Sequence, residues 1–393
     1  MEATGTDTKK NEMKYEKSEL ELMTTYQLRE ICRREKIMNG VIHPLDKEEL
    51  IQTIMRYMGK RQDFLICDRK KGGEERVEEF LKKTRIVIKP CKELYCQSQI
   101  LAYEGLSIEY YDGYTIPYKK ELSGTNAFLM GSDMTICAIL NLKEHGERQE
   151  KLYLTKAAEL EIRETQRKDY RIFCMGRQTS ESLYHLYYGE HTILPEHIEV
   201  YSIPLIDFVV RKPVTLMLPM AIDFGSVNTT AGVYLDSAYF EHVGQQAAIK
   251  NCRENEINYT VFEDGAGESM LLPSVIGVLA VEEEDDKLLF GYDAIRLANA
   301  SYVDEGFCVF YDVKRWIGEY EKEEEIVDRQ GRRRLVKRAE ILRRFFLYII
   351  RKTENRFKCR ISQVHISSPV KQKHYFRRMF REILPEYMAG QET

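Results

Sequence analysis

The stretch from Met220 to Leu235, MAIDFGSVNTTAGVYL, constrains the fold more than any other. An apolar run from Leu216 to Ile222 stops at Asp223, and a small polar turn runs from Gly225 to Thr229. Ala231, Val233 and Leu235 then alternate with smaller or polar residues. This reads as strand, turn, strand: a hairpin with a buried first strand. Gly225 lets backbone come close to a ligand. Gly225, Ser226, Val227 and Asn228 are the candidate phosphate-binding positions, through backbone groups and polar side chains. Asp223, at the strand end, suits the water shell of Mg2+, an ion that takes one or two carboxylates and keeps its waters. A plain hairpin with polar turn residues satisfies the same pattern.

Two other phosphate loops are excluded, because the chain has neither G-x-x-x-x-G-K-[ST] nor a G-x-G-x-x-G that opens a helix. With 393 residues there is room for two or three domains, and a net charge of -4 argues against a generally basic nucleic-acid binder. No apolar run reaches membrane-spanning length, so no membrane partner is expected. The polar start, Met1 to Lys17, is not a signal peptide, and the expected location is cytoplasmic. Nine scattered cysteines, without C-x-x-C spacing, read as reduced thiols rather than a zinc site or a disulfide framework.

Along the chain, residues 1–13 read as disordered. In residues 14–60, Thr24 or Thr25 can cap a helix carrying Leu28, Ile31 and Cys32. Asp46 can cap a second helix with Leu50, Ile51, Ile54, Met55 and Met58 at helical spacing. The break between them spans Asn39 to Pro44. Residues 61–84 are strongly charged and read as a linker, with Glu74 to Lys83 as a connecting helix. Residues 85–212 carry recurrent short apolar runs, among them Arg85–Ile88, Leu106–Tyr110, Ala127–Met130, Thr135–Ile139, Lys151–Leu154, Arg171–Cys174 and Ile198–Ile203. They predict a β-rich domain, arranged as a sandwich. Tyr184, Tyr187 and Tyr188 are either a recognition surface or rings half-buried in that sheet. The function of residues 85–212 is not legible. Arg211-Lys212-Pro213 marks the last break.

Residues 14–60 resemble SAP and Rho-N-terminal helical modules through Leu28-Arg29-Glu30-Ile31 and Lys47-Glu48-Glu49-Leu50-Ile51. The resemblance implies nucleic acid as a partner, with Arg29, Arg33, Arg34 and Lys36 on phosphates. Interleaved Glu30, Glu35, Glu48 and Glu49 fit a solvated face or a protein-docking role equally well.

Residues 213–393 resemble the Hsp70 branch of the actin, Hsp70 and sugar-kinase ATPases. Besides the hairpin, four landmarks follow in the family's order: Leu272-Pro273-Ser274-Val275, Phe290-Gly291-Tyr292-Asp293-Ala294, Phe310-Tyr311-Asp312-Val313-Lys314-Arg315-Trp316-Ile317-Gly318, and Val364-His365-Ile366-Ser367-Ser368-Pro369. The implied fold is an α/β first lobe of ribonuclease-H type, following the β-rich domain and the helical module. The implied cofactors are ATP or ADP with Mg2+, and the implied activity is ATP hydrolysis coupled to a conformational change, with chaperone-like client or partner proteins. Asp223 would sit beside the Mg2+ waters and Gly225, Ser226 and Asn228 along the phosphates, with Val227 lacking the family's hydroxyl. Lys314 would be the catalytic lysine, stabilising charge on the transferred phosphoryl. Pro369, and Arg377 eight positions on, would relay nucleotide state to a neighbouring domain. The second phosphate loop, the catalytic glutamate and the adenosine motif of the family are missing from these residues. The expectation is therefore the front part of such a protein, without ATP turnover by this chain alone. The alternative is a non-enzymatic interaction or nucleic-acid-associated protein with a degenerate nucleotide site.

Overall fold

The computed structural model describes residues 15, 17–35, 46–58, 64–96, 99–145, 150–157, 160–165, 169–205, 207–244, 246–263, 267–282, 286–299, 308–328 and 331–388. It is mixed α/β, built round two larger cores and a small helical one. The expected disorder of 1–13, the break at Asn39–Pro44 and Lys36 lie outside the described residues.

The helices of the first unit begin where their caps predict. Thr24 accepts from the Gln27 amide at 3.3 Å while the Gln27 side chain accepts from the Thr24 amide at 2.8 Å. The same reciprocal arrangement joins Asp46 and Glu49, at 2.9 and 3.0 Å. Each box satisfies two amides that a helix start leaves without partners. The resulting helices, Thr25–Arg34 and Lys47–Met58, close over Leu28, Ile31, Cys32, Leu50, Ile51 and Ile54.

Residues 85–205 form a seven-stranded sheet, not a two-sheet sandwich. Its order is Arg85–Ile88, His197–Leu205, Tyr170–Met175, Thr125–Met130, Ile136–Lys143, Lys151–Thr155, Thr115–Pro117, antiparallel except at the first pair. Alternation along the central strand explains the layering. Ala127 and Leu129 face a core completed by Ile100, Ala102 and Phe208, while Phe128 and Met130 face two helices. A parallel pair, Gln99–Tyr103 with Asp207–Arg211, supplies the first cover. The run Leu106–Tyr110 is not a strand but buried irregular chain leading into a tight turn.

The helices on the other face correct two expectations. Gly73–Lys83 is not a connector, and 61–84 is not simply a charged linker. Val77 and Leu81 are buried beside Ile66, Leu183 and Tyr187, and Glu78 accepts from the Ile136 amide at 2.8 Å and pairs with Arg163. Tyr184, Tyr187 and Tyr188 lie on the helix Arg177–Tyr188 rather than in the sheet. Tyr187 is fully buried against Gly73, where an added Cβ would lie 2.5 Å from its ring. The Tyr187 and Tyr188 hydroxyls take the amides of Lys70 and Asp68, so these two rings brace the segment before Gly73–Lys83.

In the C-terminal unit the hairpin strands are Met220–Phe224 and Asn228–Leu235. The sheet order is Glu256–Tyr259, Asn228–Leu235, Met220–Phe224, Val364–Ile366, antiparallel until the last strand, which joins parallel. A parallel neighbour needs a crossover, and the connection to it contains the helix Arg338–Phe357. That helix buries Ile341, Leu342, Phe345, Phe346, Ile349 and Ile350 against the sheet, with Phe224 and Phe346 edge-to-face at 5.0 Å between centroids. The helix Lys373–Ile383 follows and packs Phe380 on Phe346 at 4.7 Å. Among the described residues no helix is long and apolar enough to cross a membrane.

Candidate functional site

The hairpin tip is held from behind. The Ser274 hydroxyl donates to the Gly225 carbonyl at 2.8 Å and meets the Thr229 hydroxyl at 2.9 Å, and the Ser274 amide donates to the Val227 carbonyl at 2.8 Å. Since the Ser274 hydroxyl has one proton, Thr229 is the donor in that pair. Gly225 is required by close approach: a Cβ there would lie 2.2 Å from the Asn228 carbonyl oxygen. Ser226 and Val227 are exposed, Val227 by 74%, and Asn228 is half-buried. The tip thus offers its short polar chain outward on a fixed base.

The landmarks that the sequence spaces far apart are neighbours here. Leu272 and Pro273 pair with Thr229 and Asn228. Gly291 has φ 58°, its amide donates to the Val275 carbonyl at 2.9 Å, and a Cβ there would strike Leu272. Ile276 pairs with both Phe290 and Phe310, and Phe310 meets Trp316 edge-on at 5.0 Å. Val364–Ile366 lies beside the first hairpin strand.

Asp223 is exposed at the end of its strand, and its Oδ1 accepts a hydrogen bond from the Ser367 hydroxyl. Lys314, half-buried, lies on the 3-10 segment Val313–Glu319, and its Nζ sits 5.9 Å from the centroid of the Phe376 ring. That is cation–π range. Phe376, Ser368 and Arg377 line one small cavity of about 90 Å3. Asp223, through Ser367, and Lys314, through Phe376, therefore flank the turn at which Val364–Ile366 passes into Lys373–Ile383. Pro369 is exposed at the start of the short turn Val370–Gln372, and Arg377 is exposed on the helix beyond it.

Three side chains had no assigned role in the sequence. Ser274 and Ser367 are hydroxyls directly after strands, which was their signal. Asp312 is the third. It has φ 51°, its Oδ2 takes Arg315 Nε at 2.6 Å, and its Oδ1 is buried without a hydrogen-bond partner among the described residues. A non-glycine in the left-handed region two residues before Lys314 is a local strain that the sequence does not announce.

The donor set suits a water-mediated Mg2+ rather than a protein cage. One exposed carboxylate, Asp223, stands beside hydroxyls, and no group of three or more potential ligands is found among the described residues.

Two arginines of the helical module, Arg33 and Arg34, are exposed but each already has an acidic or hydroxyl neighbour. Arg33 pairs with Glu30 at 2.5 Å. Arg34 donates to the Tyr15 hydroxyl at 2.6 Å and meets Glu35 at 3.3 Å. Arg29 is half-buried.

No family model matches the chain, and no curated protein matches it.

Proposed function

We propose that the C-terminal unit is the phosphate-binding lobe of an Hsp70-like nucleotide-binding protein of ribonuclease-H type, acting with ATP or ADP and Mg2+. The observation that carries this reading is the clamped hairpin tip with Asp223 at its base. A strand arriving in parallel supplies Ser367 to Asp223, and Lys314 stands across the following turn. The sheet order, three antiparallel strands and then a parallel one after a long helix, supports the ribonuclease-H-like assignment. So does the packing of the four landmarks into one core with the hairpin. When bound, Mg2+ would be held through its waters by Asp223 and would supply positive charge against the phosphates. Asp223 would orient its waters, and the hairpin tip would hold the phosphates. Lys314 would place a cation where charge develops on the transferred group. Ser367 fixes the Asp223 carboxylate, and Ser274 fixes the tip.

Calorimetric titration of the full chain with ADP and ATP, with and without Mg2+, tests the reading. Binding should require Mg2+ for full affinity, and Asp223→Ala should erase that requirement. Lys314→Met should leave binding largely intact, because its charge acts most on the transition state. Absence of Mg2+-dependent binding to wild type would sink the proposal.

A second reading concerns the helical module as a protein-docking unit. The paired state of Arg33 and Arg34 favours it over nucleic acid, as do Leu22 and Tyr26, exposed by 89% and 71%. A 1–60 fragment, which keeps the helical core of Leu20, Leu28 and Leu50 whole and leaves Gly73–Lys83 out, titrated with duplex DNA at two salt concentrations separates the two. Salt-sensitive binding would restore nucleic acid as its partner.

A further inference from the structure

Glu268 and Ser274 stand six residues apart on one arm of the C-terminal unit. At one end of the arm Ser274 clamps the hairpin tip, and Leu272 and Pro273 pair with Thr229 and Asn228. At the other end Glu268 accepts a hydrogen bond from the Tyr110 hydroxyl, which belongs to the unit built on the seven-stranded sheet. Little slack lies between the two ends. Glu268–Ser269 pairs with Phe262–Glu263, and Phe262 is buried in the core. Ser269 Oγ accepts from the Tyr292 hydroxyl at 3.0 Å and from the Leu271 amide at 3.1 Å.

Tyr110 is itself fixed. Its ring stacks on His145 with the centroids 3.6 Å apart, and it meets Tyr111 and Tyr153 edge-on at 5.2 and 6.4 Å. His145 follows the strand Ile136–Lys143, and Tyr153 lies on Lys151–Thr155, so the ring is keyed to the sheet. Tyr111, next to it, takes Arg356 and Lys358 over its ring at 4.7 and 5.3 Å, both from the end of the long helix.

From this arrangement we infer that the sheet-rich unit regulates the hairpin tip, with Tyr110 as the positioning residue and the arm from Glu268 to Ser274 as the element that carries the coupling. A hydrogen bond to a charged acceptor is among the stronger ones. It ends on an arm whose other end supplies the clamp, so a shift of Tyr110 is felt at Gly225 and Val227. The coupling is reciprocal: occupation of the tip loads the same bond from the other side. As regulation of phosphate binding the inference rests on the reading above, whereas the link from Tyr110 to the tip stands apart from it.

Hydrogen exchange of the full chain without nucleotide, read by peptide mass, tests the link. Tyr110→Phe keeps the ring on His145 and removes only the donor. It should speed exchange in residues 225–231 and 272–275 by about threefold or more, the scale of losing one hydrogen bond. The strands Thr125–Met130 and Ile136–Lys143 should exchange as in wild type. Glu268→Ala should act like Tyr110→Phe, and Glu268→Gln, which keeps an acceptor oxygen, should stay near wild type. The inference falls if the change stops at residues 262–271, if the strands of the sheet speed up equally, or if Glu268→Gln exchanges as fast as Glu268→Ala. Titration of wild type and Tyr110→Phe with ADP and Mg2+ separates the regulation from the phosphate reading. Tyr110→Phe should bind about threefold more weakly, because a looser tip must be ordered on binding. Equal affinities would overturn the regulation. If wild type does not bind, the phosphate reading fails and the exchange result still decides the link.

Discussion

Lys358 Nζ and Asp112 Oδ2 form an ion pair at 2.8 Å, with the two side chains only 3% and 7% exposed. The pair joins the C-terminal unit to the sheet-rich one. Lys358 follows directly on the helix Arg338–Phe357 with φ 52°, and its Nζ also donates to the Ser107 carbonyl at 3.0 Å. Asp112 takes the Glu109 amide at 2.7 Å as well. Neighbouring bonds run from the Ser107 amide to Asn355 and from Arg360 to the Glu104 carbonyl. The end of the long helix is thus tied to one stretch of the sheet-rich unit, from Glu104 to Asp112.

Breaking one partner of a buried pair leaves a charge without compensation, at a cost of about 3–5 kcal/mol. Lys358→Met should therefore lower the urea midpoint strongly. Methionine is no worse than lysine at this positive φ, so backbone strain does not confound the comparison. Asp112→Asn combined with Lys358→Met should recover much of the loss. Urea unfolding followed by circular dichroism and by the single tryptophan, Trp316, measures it. A loss below about 1 kcal/mol in the single variant would mean that water reaches the pair.

At the hairpin, Ser274→Ala removes the donor to the Gly225 carbonyl and the partner of Thr229. Leaving such groups without partners costs about 1–3 kcal/mol. Gly225→Ala should cost more, because the atom it would strike is backbone. Ser226→Ala, at an exposed position, should stay within about 0.5 kcal/mol of wild type. Thermal melts of the three variants give the ranking. If Gly225→Ala were as mild as Ser226→Ala, the tip would not be held as described.

What the sequence disclosed follows from range. The boxes at Thr24 and Asp46 span three residues each, and the hairpin turn is equally local, so both were legible. The placing of Ser274 and Gly291 behind the tip depends on strand pairing, and only the order of the landmarks hinted at it. The helix over Glu74 to Lys83 is legible, but its packing on the sheet is not, because Glu74, Glu75 and Glu79 outnumber the buried Val77 and Leu81. Leu106–Tyr110 was misread as a strand because it is apolar for another reason. It is buried chain beside the end of the long helix. The Lys358–Asp112 pair joins residues far apart in sequence and has no local signature at all.

Burial should also govern the cysteines. It pushes the thiols of Cys32 and Cys137 up to about 11 and those of Cys174 and Cys359 higher still. The thiolate is the reacting form. A disulfide reagent at pH 8 should therefore spare these four in the native protein, and half-buried Cys67, Cys91 and Cys96 should react first. All nine should react in urea. Rapid native labelling of Cys174, read by peptide mass, would show that the seven-stranded sheet opens readily.

The pH dependence of stability should carry the mark of Glu109. Its carboxyl is held above the usual range, chiefly by burial, with Asp112 and Glu263 adding to the rise and Lys352 and Lys358 opposing it. A carboxyl whose folded pKa exceeds its unfolded value makes the folded state bind the proton more tightly. Below the unfolded value, about 4.3, the group is protonated in both states and costs nothing. As pH climbs from there through the raised folded value, the unfolded state ionises first, and stability falls. Above that window the penalty is constant. Glu109→Gln keeps the side chain neutral, so it should stabilise the protein at pH 7 and remove this descending limb. Urea midpoints of wild type and variant between pH 4 and pH 8 make the comparison. Curves that run parallel across the range would show that the Glu109 carboxylate is fully compensated by Lys352 and Lys358.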